Sequence, residues 1–327
     1  MLLGNVDFPG YVLNAAGARG FFPEGYWFHR LTNPDWVGSI FVTKTTTARP
    51  QEGFMPMRKD GVTPKELFPR CIYVRKALGG HILNSVGLSG PGAEALVAEG
   101  SWQIWPHPFV ISFMAVGDTH DKRMWECRMF AALIARTEFR SKFAIEINVS
   151  CPNVGLDHAE LVGEVTEMLG IFAGLGVPLI VNVNLLFPVT AAAEISKHPA
   201  CAAVSQSNSI PWGAFPEKIP WKKLFGSDVS PLERRGFKPG GYSGPYAFPI
   251  MVDWIRKARE ARYDTRWLIV GGGIQSVEDA EYAVRFGDPI IMGIKLGIVG
   301  IVRPWRVQPI IRHVNSYFER LEWRPKR

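Results

Sequence analysis

The chain has 327 residues, 47% of them hydrophobic and 20% charged, with a net charge of +7. Such a balance excludes a disordered or low-complexity chain and is ample for a large buried core. The basic residues are scattered, apart from Arg324-Pro-Lys-Arg327, which argues against a nucleic-acid interface and for a mild positive field attracting an anionic substrate.

Along the chain, short apolar runs alternate with stretches of helical periodicity. Tyr11–Asn14, Ile40–Thr43, Phe109–Phe113, Phe143–Asn148, Leu179–Val183, Ala202–Ser205, Leu268–Val270 and Ile290–Met292 read as fully buried strands. Helices are predicted over Arg123–Arg136, Leu161–Gly174, Ala247–Ala261 and Ser276–Phe286. Eight buried strands with helical crossovers predict a (β/α)8 TIM barrel, one domain over residues 1–327. A doubly wound open sheet has the same periodicity and stays open as an alternative. Asp228–Pro239 reads as a long loop. The longest apolar runs, Val177–Pro188 and Ile290–Val302, are broken by Asn182 and Asn184 or by Lys295, so no transmembrane span is predicted. The start of the chain has no leader-like pattern, and Cys71, Cys127, Cys151 and Cys201 form no CxxC pair. A cytoplasmic protein without a disulfide framework, metal site or membrane contact is expected.

The unusual residues fall at the carboxyl ends of the predicted strands, where barrel enzymes place their sites. They are Asn14-Ala15-Ala16-Gly17, Thr43-Lys44-Thr45, Asn84-Ser85-Val86-Gly87-Leu88, Asn148-Val149-Ser150-Cys151-Pro152-Asn153, Asn182, Ser207-Asn208-Ser209, Gly240-Gly241-Tyr242-Ser243-Gly244, Gly271-Gly272-Gly273 and Gly293. Carboxamides both donate and accept hydrogen bonds, which suits an amide-rich ring such as a pyrimidine or flavin. A thiol among them, Cys151, is a candidate acid/base or nucleophile, because its ordinary pKa of about 8.5 is within tuning range of neutrality. Lys44 can lower that pKa and hold an anionic carboxylate. Gly271-Gly272-Gly273 precedes a helix start, an arrangement suited to a phosphate, and lacks the GxGxxG spacing of a dinucleotide fold. The three other cysteines read as structural.

With these motifs assembled, the chain resembles the dihydroorotate dehydrogenase family of FMN-dependent barrels from about Tyr11 to Val302. The Asn-Val-Ser-Cys-Pro-Asn and Gly-Gly-x-Ser-Gly elements carry the resemblance; a Cys at position 151 is similar to the soluble class 1 branch. The resemblance implies FMN as cofactor and dihydroorotate as substrate, with Cys151 removing the C5 proton while a hydride passes from C6 to flavin N5. It implies that Asn84, Asn148, Asn153 and Asn208 hold the pyrimidine, with Lys44 beside flavin and substrate. Ala15, Ala16, Gly17, Thr45, Ser209 and Gly244 match positions lining the isoalloxazine and ribityl chain. Gly272, Gly273, Gly293 and Ile294 match the phosphate turns. A homodimer is the family-based expectation. Fumarate, a quinone or an electron-transfer partner all remain as acceptors.

This sequence departs from the family in three places. Asn182 stands where the family usually has a strand-five lysine near the flavin, which predicts a flavin that is harder to reduce; Lys295 is a second cation whose direction the sequence leaves open. Gln51-Glu-Gly-Phe54 replaces Arg-Glu-Gly-Asn, and Val154–His158 is not the usual loop. Two other readings stand beside dihydroorotate oxidation. One is an FMN enzyme of the same fold acting on another dihydropyrimidine or an enone. The other is a barrel that binds a flavin or phosphorylated ligand without turnover.

Overall fold

The computed structural model describes residues 1–75, 79–149 and 158–322. One eight-stranded sheet organises the chain. Its strands are β1 (Val12–Asn14), β2 (Phe41–Val42), β3 (Phe109–Phe113), β4 (Phe143–Asn148), β5 (Leu179–Asn184), β6 (Cys201–Asn208), β7 (Leu268–Gly271) and β8 (Ile291–Leu296). Each strand pairs in parallel with the next in sequence from β2 to β8, and β8 pairs with β1. The remaining seam, between β1 and β2, closes through the parallel bridge Leu13–Ile40 and through Ile40 N donating to Val12 O at 2.8 Å. The sheet is therefore a (β/α)8 barrel, and the open-sheet alternative falls away.

That seam shows a sequence residue acting as backbone. β2 is only two residues long, so a peptide ladder cannot extend along it. The side chain of Asn14 takes over: Oδ1 accepts from Val42 N at 2.9 Å, and Nδ2 donates to Val42 O at 2.7 Å. A carboxamide has the donor and acceptor of a peptide group, so it satisfies a strand edge that would otherwise be buried unpaired.

The crossovers include α1 (His120–Ala135), α2 (His158–Ala173), α3 (Val189–Ile195), α4 (Ala247–Ala261), α5 (Val277–Gly287) and a closing α6 (Val307–Glu322). Thr119 and Ser276 cap α1 and α5 by accepting from Lys122 N and Asp279 N. Outward-facing strand residues make the larger core. Phe113 of β3 stacks on Phe130 of α1 at 4.2 Å, and both meet Phe172 of α2 edge-on. Each such ring removed from water contributes about 1.5–3 kcal/mol. Among the described residues, no helix is long and apolar enough to cross a membrane.

The expected strand positions agree with the sheet to within a residue at each end, except that two strands run three or four residues further. β6 continues to Asn208, and β8 continues from the expected end at Met292 to Leu296. Gly293 and Lys295 look like strand breakers locally, but both are accommodated by distant contacts. A Cβ on Gly293 would lie 2.9 Å from Tyr11 O, so only glycine allows β1 to approach there. The amino-terminal hairpin (Leu2–Leu3 with Val6–Asp7) was not foreseen, nor was α6. Neither was an antiparallel sheet of four short strands, in the order Ile210–Pro211, Gly241–Ser243, His81–Asn84, Ile72–Arg75. This sheet begins two residues beyond the carboxyl end of β6 and so stands on the barrel's carboxyl side. The 228–239 loop contains one 3-10 turn, Glu233–Arg235.

Candidate active site

Strand register fills the carboxyl half of the barrel interior with polar residues. Ser112 lies beside Glu146, Asn148 beside Asn182, Asn182 beside Ser205, and Gly271 beside Lys295. Glu146 and Lys295 have fully buried side chains and form an ion pair across the interior, from β4 to β8. A lone charge there would be prohibitively costly, so each requires the other.

Glu146 also orders the site above it. An ionised carboxylate only accepts, so Ser112 Oγ donates to Glu146 Oε1 at 3.1 Å. The Ser112 oxygen is then left to accept from Thr45 Oγ1 at 2.9 Å. Thr45 in turn accepts from Asn148 Nδ2 at 3.1 Å. Asn148 Oδ1 accepts from Asn208 Nδ2 at 2.7 Å, and Asn208 Oδ1 accepts from Asn182 Nδ2 at 3.0 Å. Asn182 Oδ1 accepts from Ser207 Oγ at 2.8 Å. The chain of donors runs in one sense toward Glu146, and that fixes which way each carboxamide faces. Bonds aligned this way polarise one another. Each of the three amides commits one N–H and one lone pair to the chain, leaving one of each for a ligand.

The structure thus brings together Thr45, Asn148, Asn182 and Asn208. Asn208 and Ser209 line a cavity with Ala15, Gly272, Gly273 and Lys295. Asn84 lies on the accessory sheet, its Nδ2 donating to Gly241 O at 3.4 Å. The glycines shape close approaches: a Cβ on Gly273, at φ +76°, would fall 2.4 Å from Phe248 N at the start of α4, and one on Gly244 would fall 2.3 Å from Tyr242 Oη. Ala15 N donates to Leu296 O at 2.8 Å, and Gly17 O accepts from Tyr26 Oη at 2.8 Å, so Ala15, Ala16 and Gly17 turn over the end of β8. The loop of Gln51 to Phe54 folds onto the Val86–Gly90 turn, with Phe54 N donating to Val86 O at 2.8 Å and Gln51 N donating to Gly90 O at 2.9 Å.

Two expected phosphate-turn residues lie elsewhere. Because β8 extends to Leu296, Gly293 sits within the strand near Tyr11 and Met1, and Ile294 is buried in the apolar core. From this end of β8 it is Lys295, Gly297 and Ile298 that line the cavity. The start of α5 is also less suited to an anion than its sequence suggests. Asp279 Oδ2 already accepts from Gln275 N at 2.9 Å, and Glu278 and Asp279 place negative charge in the first turn.

Lys44 is buried, donates to Ser89 O and stands 4.4 Å over the Phe21 ring. Burial lowers its pKa from 10.5 to about 8, opposed by the charge of Glu24. The Glu24 carboxylate accepts from Phe21 N at 3.0 Å and Phe22 N at 2.7 Å. Burial pushes Cys71 up to about 11, and Cys127 and Cys201 up to about 12, so these thiols hold their protons at neutral pH. Ser150, Cys151, Pro152, Asn153 and the following loop, with the His158 side chain, lie outside the described residues.

Sequence reasoning missed Ser112 and Glu146, and placed Ser207 in a strand-end cluster without giving it a role. A signal was present for Glu146: an acid alone in an apolar strand, and a base alone in another, must find each other if both strands are buried.

The dihydroorotate dehydrogenase family profile matches residues 2–291. The catalytic subunit of dihydroorotate dehydrogenase B (NAD(+)) from Caldicellulosiruptor saccharolyticus is 30% identical over 324 residues, covering 94% of this chain and 90% of that protein. The same subunit from Thermodesulfovibrio yellowstonii is 26% identical over 326 residues, covering 96% and 92%. Dihydroorotate dehydrogenase A (fumarate) from Lactobacillus delbrueckii subsp. bulgaricus is 27% identical over 225 residues, covering 65% of this chain and 66% of that protein. The crystal structure of ligand-free DHODH from Eimeria tenella shares the fold, with a TM-score of 0.64 and 15% identity over 96% of this chain and 89% of that one.

Proposed function

We infer, from the premise that this chain belongs to the dihydroorotate dehydrogenase family and is a flavin oxidoreductase that oxidises dihydroorotate, that FMN is its flavin and Cys151 its base. The observation that carries the reading is the oriented amide chain Asn148–Asn208–Asn182 beside a glycine-lined cavity. The glycine turn fits the phosphate-bearing end of FMN: Gly272 and Gly273 line the cavity at φ +126° and +76°, a left-handed turn that brings main chain and no side chain to its wall. Bound FMN supplies a two-electron acceptor for the hydride leaving C6.

The protein's own residues do the rest. Asn148 and Asn208 present one donor and one acceptor each to the imide edges of a pyrimidine, Asn84 adds to them from the accessory sheet, and Asn153 is the fourth carboxamide of the set. Lys44, charged at neutral pH, holds the substrate carboxylate. Cys151 takes the C5 proton, which is acidified by the neighbouring carbonyl. Lys44 is buried against Ser89 and Phe21, so its charge acts in surroundings of lower dielectric than water. A second reading, an FMN enzyme acting on another dihydropyrimidine or an enone, is favoured by Asn182, a neutral group committed to Ser207 and Asn208.

An anaerobic visible spectrum before and after adding dihydroorotate tests the assignment. A yellow protein that bleaches supports it; a yellow protein that stays yellow with dihydroorotate and bleaches with another dihydropyrimidine or enone supports the second reading. Mixing the reduced protein with NAD+ and with fumarate then separates the two acceptor types for which its relatives are named.

A further inference from the structure

The Lys295–Glu146 pair does more than fill the barrel. Lys295 is a cation with a fully buried side chain that also lines the glycine cavity, and Glu146 is the terminal acceptor of the amide chain. Gly271 makes this crossing possible. A Cβ there would stand 3.0 Å from both Lys295 Cβ and Ser207 Cβ, so any larger residue would block the path of the lysine stem into the interior. Asn182, on the fifth strand, contributes no charge and is held by two hydrogen bonds. Of the two buried lysines at this end, Lys44 is held by Ser89 O over the Phe21 ring, and the one that crosses the barrel interior is Lys295 of the eighth strand.

We propose that Lys295 is the positioning cation that sets the reduction potential of the bound flavin, and that Glu146 regulates how much of its charge the flavin experiences. The proposal rests on the FMN reading above. Reduced flavin carries negative charge at its pyrimidine end, and a cation in a dry, low-dielectric interior stabilises that charge far more than one in water. Glu146 partly cancels the cation, so the two residues act on the potential with opposite sign. A purely structural ion pair has no such signature, because removing either partner leaves one buried charge and the same kind of packing defect.

The test is the flavin midpoint potential, read by anaerobic titration against reference dyes and independent of any substrate. In Lys295→Gln the equilibrium constant for two-electron reduction is expected to fall at least tenfold, a drop of about 30 mV. In Glu146→Gln it is expected to rise at least tenfold. Lys295→Arg should restore most of the loss. Should a single variant fail to fold, the neutral double variant Glu146→Gln/Lys295→Met removes both charges together, and its potential is expected below that of the unsubstituted protein. Shifts of the same sign in both single variants overturn the proposal, as does an unchanged potential in folded variants. So does weakened FMN binding with an unchanged potential, which would make Lys295 a phosphate ligand. Because the dyes and not dihydroorotate deliver the electrons, a failure of the substrate assignment shows itself separately. A protein that binds no FMN would sink both.

Discussion

Replacing Gly273 by alanine tests whether the glycine turn is the cofactor cradle. Two costs add there. The backbone is at φ +76°, where a Cβ costs about 1–2 kcal/mol. The new Cβ would also fall 2.4 Å from Phe248 N, 2.9 Å from Phe248 Cβ and 3.0 Å from Gly244 O. Most of these are backbone atoms at the start of α4, which cannot swing aside as a lysine tip can, so overpacking adds about 1–3 kcal/mol. The sum is roughly 2–5 kcal/mol, relieved only if α4 moves away from the end of β7. Gly226 provides the control, because it has nearly the same φ of +73° and nothing within 4 Å of an added Cβ. Gly226→Ala should therefore show the backbone cost alone. Urea unfolding of the apoproteins measures both costs, and quenching of flavin fluorescence measures FMN affinity. We expect Gly273→Ala to be clearly less stable than Gly226→Ala and to bind FMN at least tenfold more weakly. Equal stability of the two variants, with FMN affinity unaltered in both, would refute the reasoning.

Other predictions concern the seam, the base and the buried lysine. Asn14→Leu leaves Val42 N–H and C=O without the carboxamide that pairs them, at about 1–3 kcal/mol each, and should lower the urea midpoint without changing the denaturant slope. Cys151→Ala should abolish turnover while retaining FMN and orotate binding, seen as an orotate-induced change in the flavin spectrum; retained turnover would remove Cys151 as the base. Dihydroorotate affinity should weaken as pH rises through about 8, where Lys44 loses its charge, and Lys44→Met should flatten that dependence. Stability should respond in the opposite direction. Between about 8 and 10.5 the unfolded chain keeps a proton that folded Lys44 has released, so raising the pH through that window favours the folded state. A stability that falls across the window in the unsubstituted protein, but not in Lys44→Met, would contradict the sign.

The sequence by itself determined the eight strands, the longer crossover helices and the clustering of site residues at strand ends. These were legible because a strand buried on both faces is a continuous apolar run, and because glycine and carboxamide residues mark the places where such runs stop. Tertiary structure decided the rest. Asn14 reads as a turn residue, and only the shortness of β2 makes it the group that closes the barrel. In the sequence Gly293 and Lys295 resemble the end of β8, yet Tyr11 requires the glycine and Glu146, 149 positions away, neutralises the lysine. The accessory sheet joins four segments of two to four residues, each too short to show a period. Direction was the larger omission. Which way each amide of Asn148, Asn182 and Asn208 faces follows from a carboxylate on β4, through hydroxyls on two other segments. Periodicity reports what a residue is buried in, whereas hydrogen-bond direction depends on partners that only the closed barrel brings within reach.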